Sequence, residues 1–168
     1  MIRSILFATD LGLYSSYVLQ HALALTRAFD AKLHVIHAVE PFGLFAESVM
    51  HSYLDDEALL QLHEKGLADV MARIKERVYE GFRDDLGEAQ NDLRLIRSVN
   101  VVQGDPPQVV LDESWRLRVD LLVIGSHSHS HASALQSSLG RTAARLIQLS
   151  EVPVHLIPML QHRGRLDN

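Results

Sequence analysis

The chain has 168 residues, 47% hydrophobic and 22% charged, with a net charge of -5 and no cysteine. That length and balance suit one globular domain with its own core and exclude disulfides and thiol chemistry. No run of Lys or Arg stands out, which speaks against nucleic-acid reading or anionic-membrane binding, since both rest on concentrated positive charge.

No apolar stretch approaches the roughly 20 residues of a membrane helix. Met1–Asp10 has neither the length nor the cleavage site of a signal peptide, so a cytoplasmic location is expected. Ile2–Thr9 (IRSILFAT) is short, apolar and β-rich, and it stops at Asp10-Leu11-Gly12. Such a run reads as a strand buried on both faces. From Tyr14 to Phe29, Val18, Ala22, Leu25 and Phe29 recur at helical spacing beside Leu19 and Leu23, with Ser15 or Ser16 as a cap and Asp30-Ala31 as the stop. Lys32–Val39 (KLHVIHAV) is the second strand.

Pro41–Tyr53 has no clean period. Asp55 and Asp56 then open a long amphipathic helix, with Leu59, Leu67, Val70, Met71, Ile74 and Val78 on one stripe and Gly87 near its end. Leu93–Gln103 holds the third strand. In the following Gly104-Asp105-Pro106-Pro107-Gln108, Asp105 suits the N-cap, Pro106 the first helical position and Gln108 a capping-box partner. That helix runs to about Arg118, with Val109, Val110 and Trp115 expected inward. Asp120–Gly125 (DLLVIG) is the fourth strand and Ser126–Ser138 a Ser/His-rich loop. Leu139–Leu149 is a short helix and Pro153–Ile157 the last strand.

Strands alternating with helices imply right-handed crossovers and a doubly wound α/β fold: a five-stranded parallel sheet with helices on both faces. The domain is expected to span residues 1–160, with a polar tail over 161–168. In such sheets ligands bind beyond the carboxyl ends of the strands, where the strand order reverses. The loops there carry Thr9-Asp10, His37-Ala38, and Gly125 followed by Ser126, His127, Ser128, His129, Ser130 and His131. Gly140 opens the next helix, whose free N–H groups suit a phosphate.

Ile5–Asp10 (ILFATD), Leu33–His37 (LHVIH), Gly104-Asp105-Pro106, Leu122–His127 (LVIGSH) and Leu139–Pro153, taken in order, resemble the universal stress protein family. The resemblance implies the strand order 3-2-1-4-5 and binding of ATP or another adenine nucleotide with Mg²⁺. Asp10 matches the family aspartate near the nucleotide. Ala8, Thr9 and Ala38 match neighbouring contacts, with His37 beside Ala38. Gly125 and Gly140 match the first and third glycines of the nucleotide motif, and Ser126, His127, Arg141 and Thr142 border it. The chain departs from the motif in three places. Ser128 stands where the second glycine belongs, eleven residues separate it from Gly140 rather than nine, and Arg141 follows Gly140. The resemblance also implies a homodimer paired through the last strand, with Val152, Val154 and Leu156 at the interface.

Other readings of the same residues stand beside this one. With Ser128, His129 and Arg141 filling the pocket, the protein would be a nucleotide-free homodimeric interaction module. In an extended loop His127, His129 and His131 share one face and could collect Zn²⁺ or Ni²⁺; the plainer reading is a solvated loop. Gly125-Ser126-His127 lacks the second glycine of a nucleophile elbow. No residue set suggests fast phosphoryl transfer, so at most slow, incidental hydrolysis of a bound nucleotide is expected. Asp10 could instead accept N–H bonds within its own turn.

Overall fold

The computed structural model describes residues 1–12, 14–41, 57, 66–86, 92–126 and 139–158. Five strands, β1 (Ser4–Thr9), β2 (Lys32–Val39), β3 (Ile96–Gln103), β4 (Leu121–Gly125) and β5 (Val154–Ile157), alternate with helices α1 (Ser15–Phe29), α2 (Leu67–Leu86), α3 (Pro106–Leu117) and α4 (Arg141–Leu149). The sheet is wholly parallel, in the order β3-β2-β1-β4-β5, as the sequence suggested. β1 is central: Ala8 lies opposite Ile36 of β2 on one side and Ile124 of β4 on the other.

Strand alternation divides the core between the two faces of the sheet. Ile5, Phe7, Leu33, Val35, Val99 and Val123 face α1 and α2, meeting Val18, Leu19, Ala22 and Leu23 of the first helix and Val78 and Phe82 of the second. The Phe7 and Phe82 rings are 6.2 Å apart. Leu6, Ile36, Leu122 and Ile124 face the other way, against Val109 and Val110 of α3 and Ala143 and Leu146 of α4. Each of the Val, Leu, Ile and Phe side chains among them, fully withdrawn from water, contributes about 1.5–3 kcal/mol. Thr26, also buried on α1, returns its hydroxyl to the Ala22 carbonyl at 2.7 Å.

Several local expectations are corrected. Tyr14, not Ser15 or Ser16, occupies the N-cap of α1 and gives no side-chain cap. The chain enters that helix through a backbone turn in which Ser15 N–H donates to Gly12 O at 2.8 Å. Phe29 is 43% exposed, because α1 has reached the rim of the sheet where the chain turns into β2. Asp105 is the N-cap of α3 and Pro106 its first residue, but no side chain closes the box. Gln108 Nε2 instead donates to Asp112 Oδ1 at 2.8 Å, one turn on. Trp115 is no core anchor: it is 79% exposed. At about 100° per residue it lies roughly 200° around α3 from Glu113, which is buried in its place. The start of the long helix at Asp55, the stop at Gly87, and the segments 42–53 and 161–168 lie outside the described residues.

Candidate functional site

β1 and β4 are neighbours whose crossovers leave toward opposite faces, so a crevice opens at their carboxyl ends. It is a cleft of about 310 Å³. Its floor is apolar, with Phe7, Ile36, Ile124 and Val110, and Ala143 and Leu146 of α4 close one side. Eight of the residues expected at the site line it: Ala8, Thr9, Asp10, His37, Ala38, Gly125, Gly140 and Thr142.

The turn after β1 is cinched by its own side chains. Thr9 Oγ1 accepts from Leu11 N–H at 3.1 Å, and Asp10 Oδ1 accepts from Gly12 N–H at 2.8 Å. Leu11 sits in the left-handed region, φ 59°, a conformation short polar contacts of this kind help to hold. Asp10 therefore does serve its turn, while also standing on the cleft wall. His37 is fixed from the same loop: its Nδ1 lies 2.9 Å from Thr9 O. A carbonyl oxygen only accepts, so Nδ1 carries the proton, and in the neutral ring Nε2 is an acceptor.

Across the cleft, Ser126 links three elements. Its N–H donates to Ile157 O at 2.9 Å, and its carbonyl accepts from Gly140 N–H at 2.9 Å. This ties the exit of β4 to β5 and to the start of α4. Ser126 is thereby buried and supports the cleft wall without lining it. Gly140 is the N-cap of α4 and offers no capping side chain, so the amides of Arg141, Thr142 and Ala143 begin the helix beside the cleft. Arg141 is exposed and its side chain is not part of the lining. His127, Ser128, His129 and His131 lie outside the described residues. Among the described residues no group of three or more His, Asp or Glu is arranged to hold a metal ion.

The sequence reading missed Glu40, Ser15 and Pro106, which also line the cleft. Glu40 was signalled by alternation: Ile36, Ala38 and Glu40 are successive residues of one face of the chain leaving β2.

A cluster of perturbed charges lies elsewhere, between β2, β3 and α3. Glu113 accepts from Arg116 Nε at 2.8 Å, from a second Arg116 nitrogen at 2.7 Å, and from Asn100 Nδ2 at 2.5 Å. The Arg116 hydrogen bonds hold its carboxyl below the ordinary value, burial working against them. His34 Nδ1 lies 2.7 Å from Ser98 Oγ. Burial lowers the His34 pKa, with Glu113 opposing and Lys32, Arg116 and Arg97 assisting.

Fold and cleft together define a doubly wound α/β domain built around a crevice at the reversal of its strand order. The chain belongs to the universal stress protein family, whose model matches residues 1–158. Three solved structures illustrate the likeness. The hypothetical protein MJ0577 is 18% identical, with 96% of this chain and 99% of that one covered at a TM-score of 0.67. UspA from Lactobacillus plantarum is 17% identical, with coverages of 93% and 97% and a TM-score of 0.56. A universal stress protein in complex with cAMP is 15% identical, with coverages of 94% and 97% and a TM-score of 0.52. At these identities the likeness speaks for the fold. Among curated proteins none matches significantly. No helix among the described residues is long and apolar enough to cross a membrane.

Proposed function

We propose that the cleft binds an adenine nucleotide, ATP with Mg²⁺, and that the protein is a nucleotide-responsive regulatory module acting as a cytoplasmic homodimer. The observation that carries this reading is the bare start of α4. Glycine at its N-cap supplies no side-chain acceptor to the first-turn amides, which stand beside an apolar slot, and such amides complement a phosphate. Gly125 and Thr142 flank them on the same cleft. The structural likeness to a protein solved with cAMP, an adenine ligand carrying a phosphate, supports the choice of base.

The donor set fits the group: amides and a threonine hydroxyl for phosphate oxygens, and Asp10, a cleft carboxylate at the end of β1, for a hard, oxygen-seeking cation. Bound Mg²⁺ would neutralise phosphate charge; the chain's own part is to seat the base on the apolar floor and to fix the anion at α4.

The dimer rests on a separate observation. β5 is one of the two edge strands, and Val152, Val154 and Leu156 on it and just before it are only half-buried. Ile147 and Leu149 of the overlying α4 are 44% and 51% exposed. An apolar sheet edge of this kind favours pairing with its own copy about a twofold axis.

Native mass spectrometry with and without ATP–Mg²⁺ reads both claims, and a thermal melt supports it. At a hundredfold excess over Kd, bound nucleotide raises stability by about 2.7 kcal/mol, or roughly 5–10 °C for a domain of this size. A dimer mass carrying one nucleotide per chain is expected. A dimer without nucleotide or thermal shift would leave the nucleotide-free module as the function, and a monomer would remove the dimer.

A further inference from the structure

The two ends of the cleft differ chemically. At the α4 end stand the first-turn amides, which the Gly140 N-cap does not cap with a side chain, and Thr142, which together attract an anion. Two strands away, at the β2 end, the lining is His37, Ala38 and Glu40. The distance from β4 across β1 to β2 is two strand spacings, roughly 10 Å, about the reach from a nucleoside's phosphate to the far edge of its base. With its phosphate at α4, a nucleotide presents that edge to β2.

Glu40 is placed there by backbone geometry. Val39 O accepts from Gly104 N–H at 2.9 Å, which pins the chain one residue before Glu40 to the loop that leads into α3. Alternation then puts Glu40 on the face of Ile36 and Ala38, and all three line the cleft. Ala38 is small and leaves room above the floor, so the next side chain on that face borders the space a base would fill. Among the described residues, nothing hydrogen-bonds the Glu40 carboxylate. Asp10, by contrast, already takes an N–H from its own turn.

We infer that Glu40 is a specificity residue: its carboxylate accepts a hydrogen bond from the exocyclic amino group of a 6-aminopurine and rejects a 6-oxopurine. The inference rests on the nucleotide reading above and deepens it. An ionised carboxylate is acceptor-only. Placed against position six rather than N1, it complements the 6-amino donor of adenine and opposes the O6 acceptor of hypoxanthine or guanine, whose N1–H would have to shift toward it to pair. The site therefore discriminates partly by leaving unlike groups unpaired.

The test compares ATP–Mg²⁺ with ITP–Mg²⁺, which differ at position six of the base and in the hydrogen that ITP carries on N1, by titration calorimetry on the full chain. The wild type should favour ATP by about tenfold, the scale of one hydrogen bond to a partly solvated charge. In Glu40→Gln the carboxamide can turn its NH₂ toward O6, so the ratio should fall toward parity while ITP binding holds or improves. A mutant that keeps the wild-type ratio overturns the role of Glu40 and leaves the nucleotide site standing. Absence of saturable ATP binding to folded wild type overturns both.

Discussion

Replacing Gly104 with alanine would add one methyl group where the end of β3 runs closest to α3. The new Cβ would lie 2.7 Å from Val109 Cγ2, well inside the roughly 3.5–4.0 Å at which two carbons rest. Neither partner retreats freely. Val109 is buried in the core under α3, and the Gly104 N–H is committed to Val39 O at 2.9 Å. Overpacking of this kind costs about 1–3 kcal/mol, which lowers Tm by roughly 2–12 °C in a domain of this size. Thermal or urea unfolding measures it. Val109→Ala alone should also destabilise, by about 1–3 kcal/mol, through lost burial and a small void. It removes the clashing methyl, however, so the double mutant should be more stable than the sum of the singles by about 1 kcal/mol or more. A Gly104→Ala protein as stable as wild type, or strict additivity in the cycle, would refute the packing argument.

The network around Glu113 sets a pH dependence with a definite sign. Burial depresses His34 from its ordinary 6.5, and the Arg116 bonds depress Glu113 from its ordinary 4.5. In both cases the unfolded chain takes up its proton first as pH falls. The stability these groups contribute is therefore full above about pH 6.5 and declines with acidification, through His34 first and then Glu113. Urea midpoints should fall from pH 7.5 to pH 4.5, and His34→Gln should flatten the upper part of that slope; a midpoint that rises on acidification contradicts the assignment. Trp115 is the chain's single tryptophan. With 79% of it in solvent, Trp115→Ala should change stability by no more than about 0.5 kcal/mol, and iodide should quench the wild-type emission readily. A loss of several kcal/mol, or a shielded indole, would place the residue in an interface.

The strands were legible because a sheet covered on both faces needs short unbroken apolar runs, and ILFAT and LLVIG are such runs bounded by turns. The strand reversal then located the cleft, and Asp10, Ala38, Gly125 and Gly140 arrive at it together. What failed were details set by tertiary partners. Trp115 reads from the sequence as a core anchor, whereas the phase of α3 puts Glu113 against the sheet, where Arg116 and Asn100 satisfy it. Gln108 and Asp105 matched a capping box in spacing, but Asp112 one turn on offered Gln108 another acceptor. Glu40 lies one step beyond Ala38 in the same alternation, past the apolar run that marks β2. The His-rich stretch beyond Ser126 has no period to anchor it, and its residues lie outside the described ones.

β1 occupies the middle of the sheet although it is the first strand made. Its β2 neighbour follows within some twenty residues, but its other edge waits for Leu121–Ile124. At about 5–20 residues per second on a ribosome, that edge stays unpaired for roughly 5–20 s. Throughout that interval the nascent chain offers a β-rich, apolar strand border to any other chain nearby, the kind of exposed border that invites aggregation. Completing the domain therefore depends on its last third being delivered promptly, and chains stalled before β4 are the ones that chaperones would have to shelter.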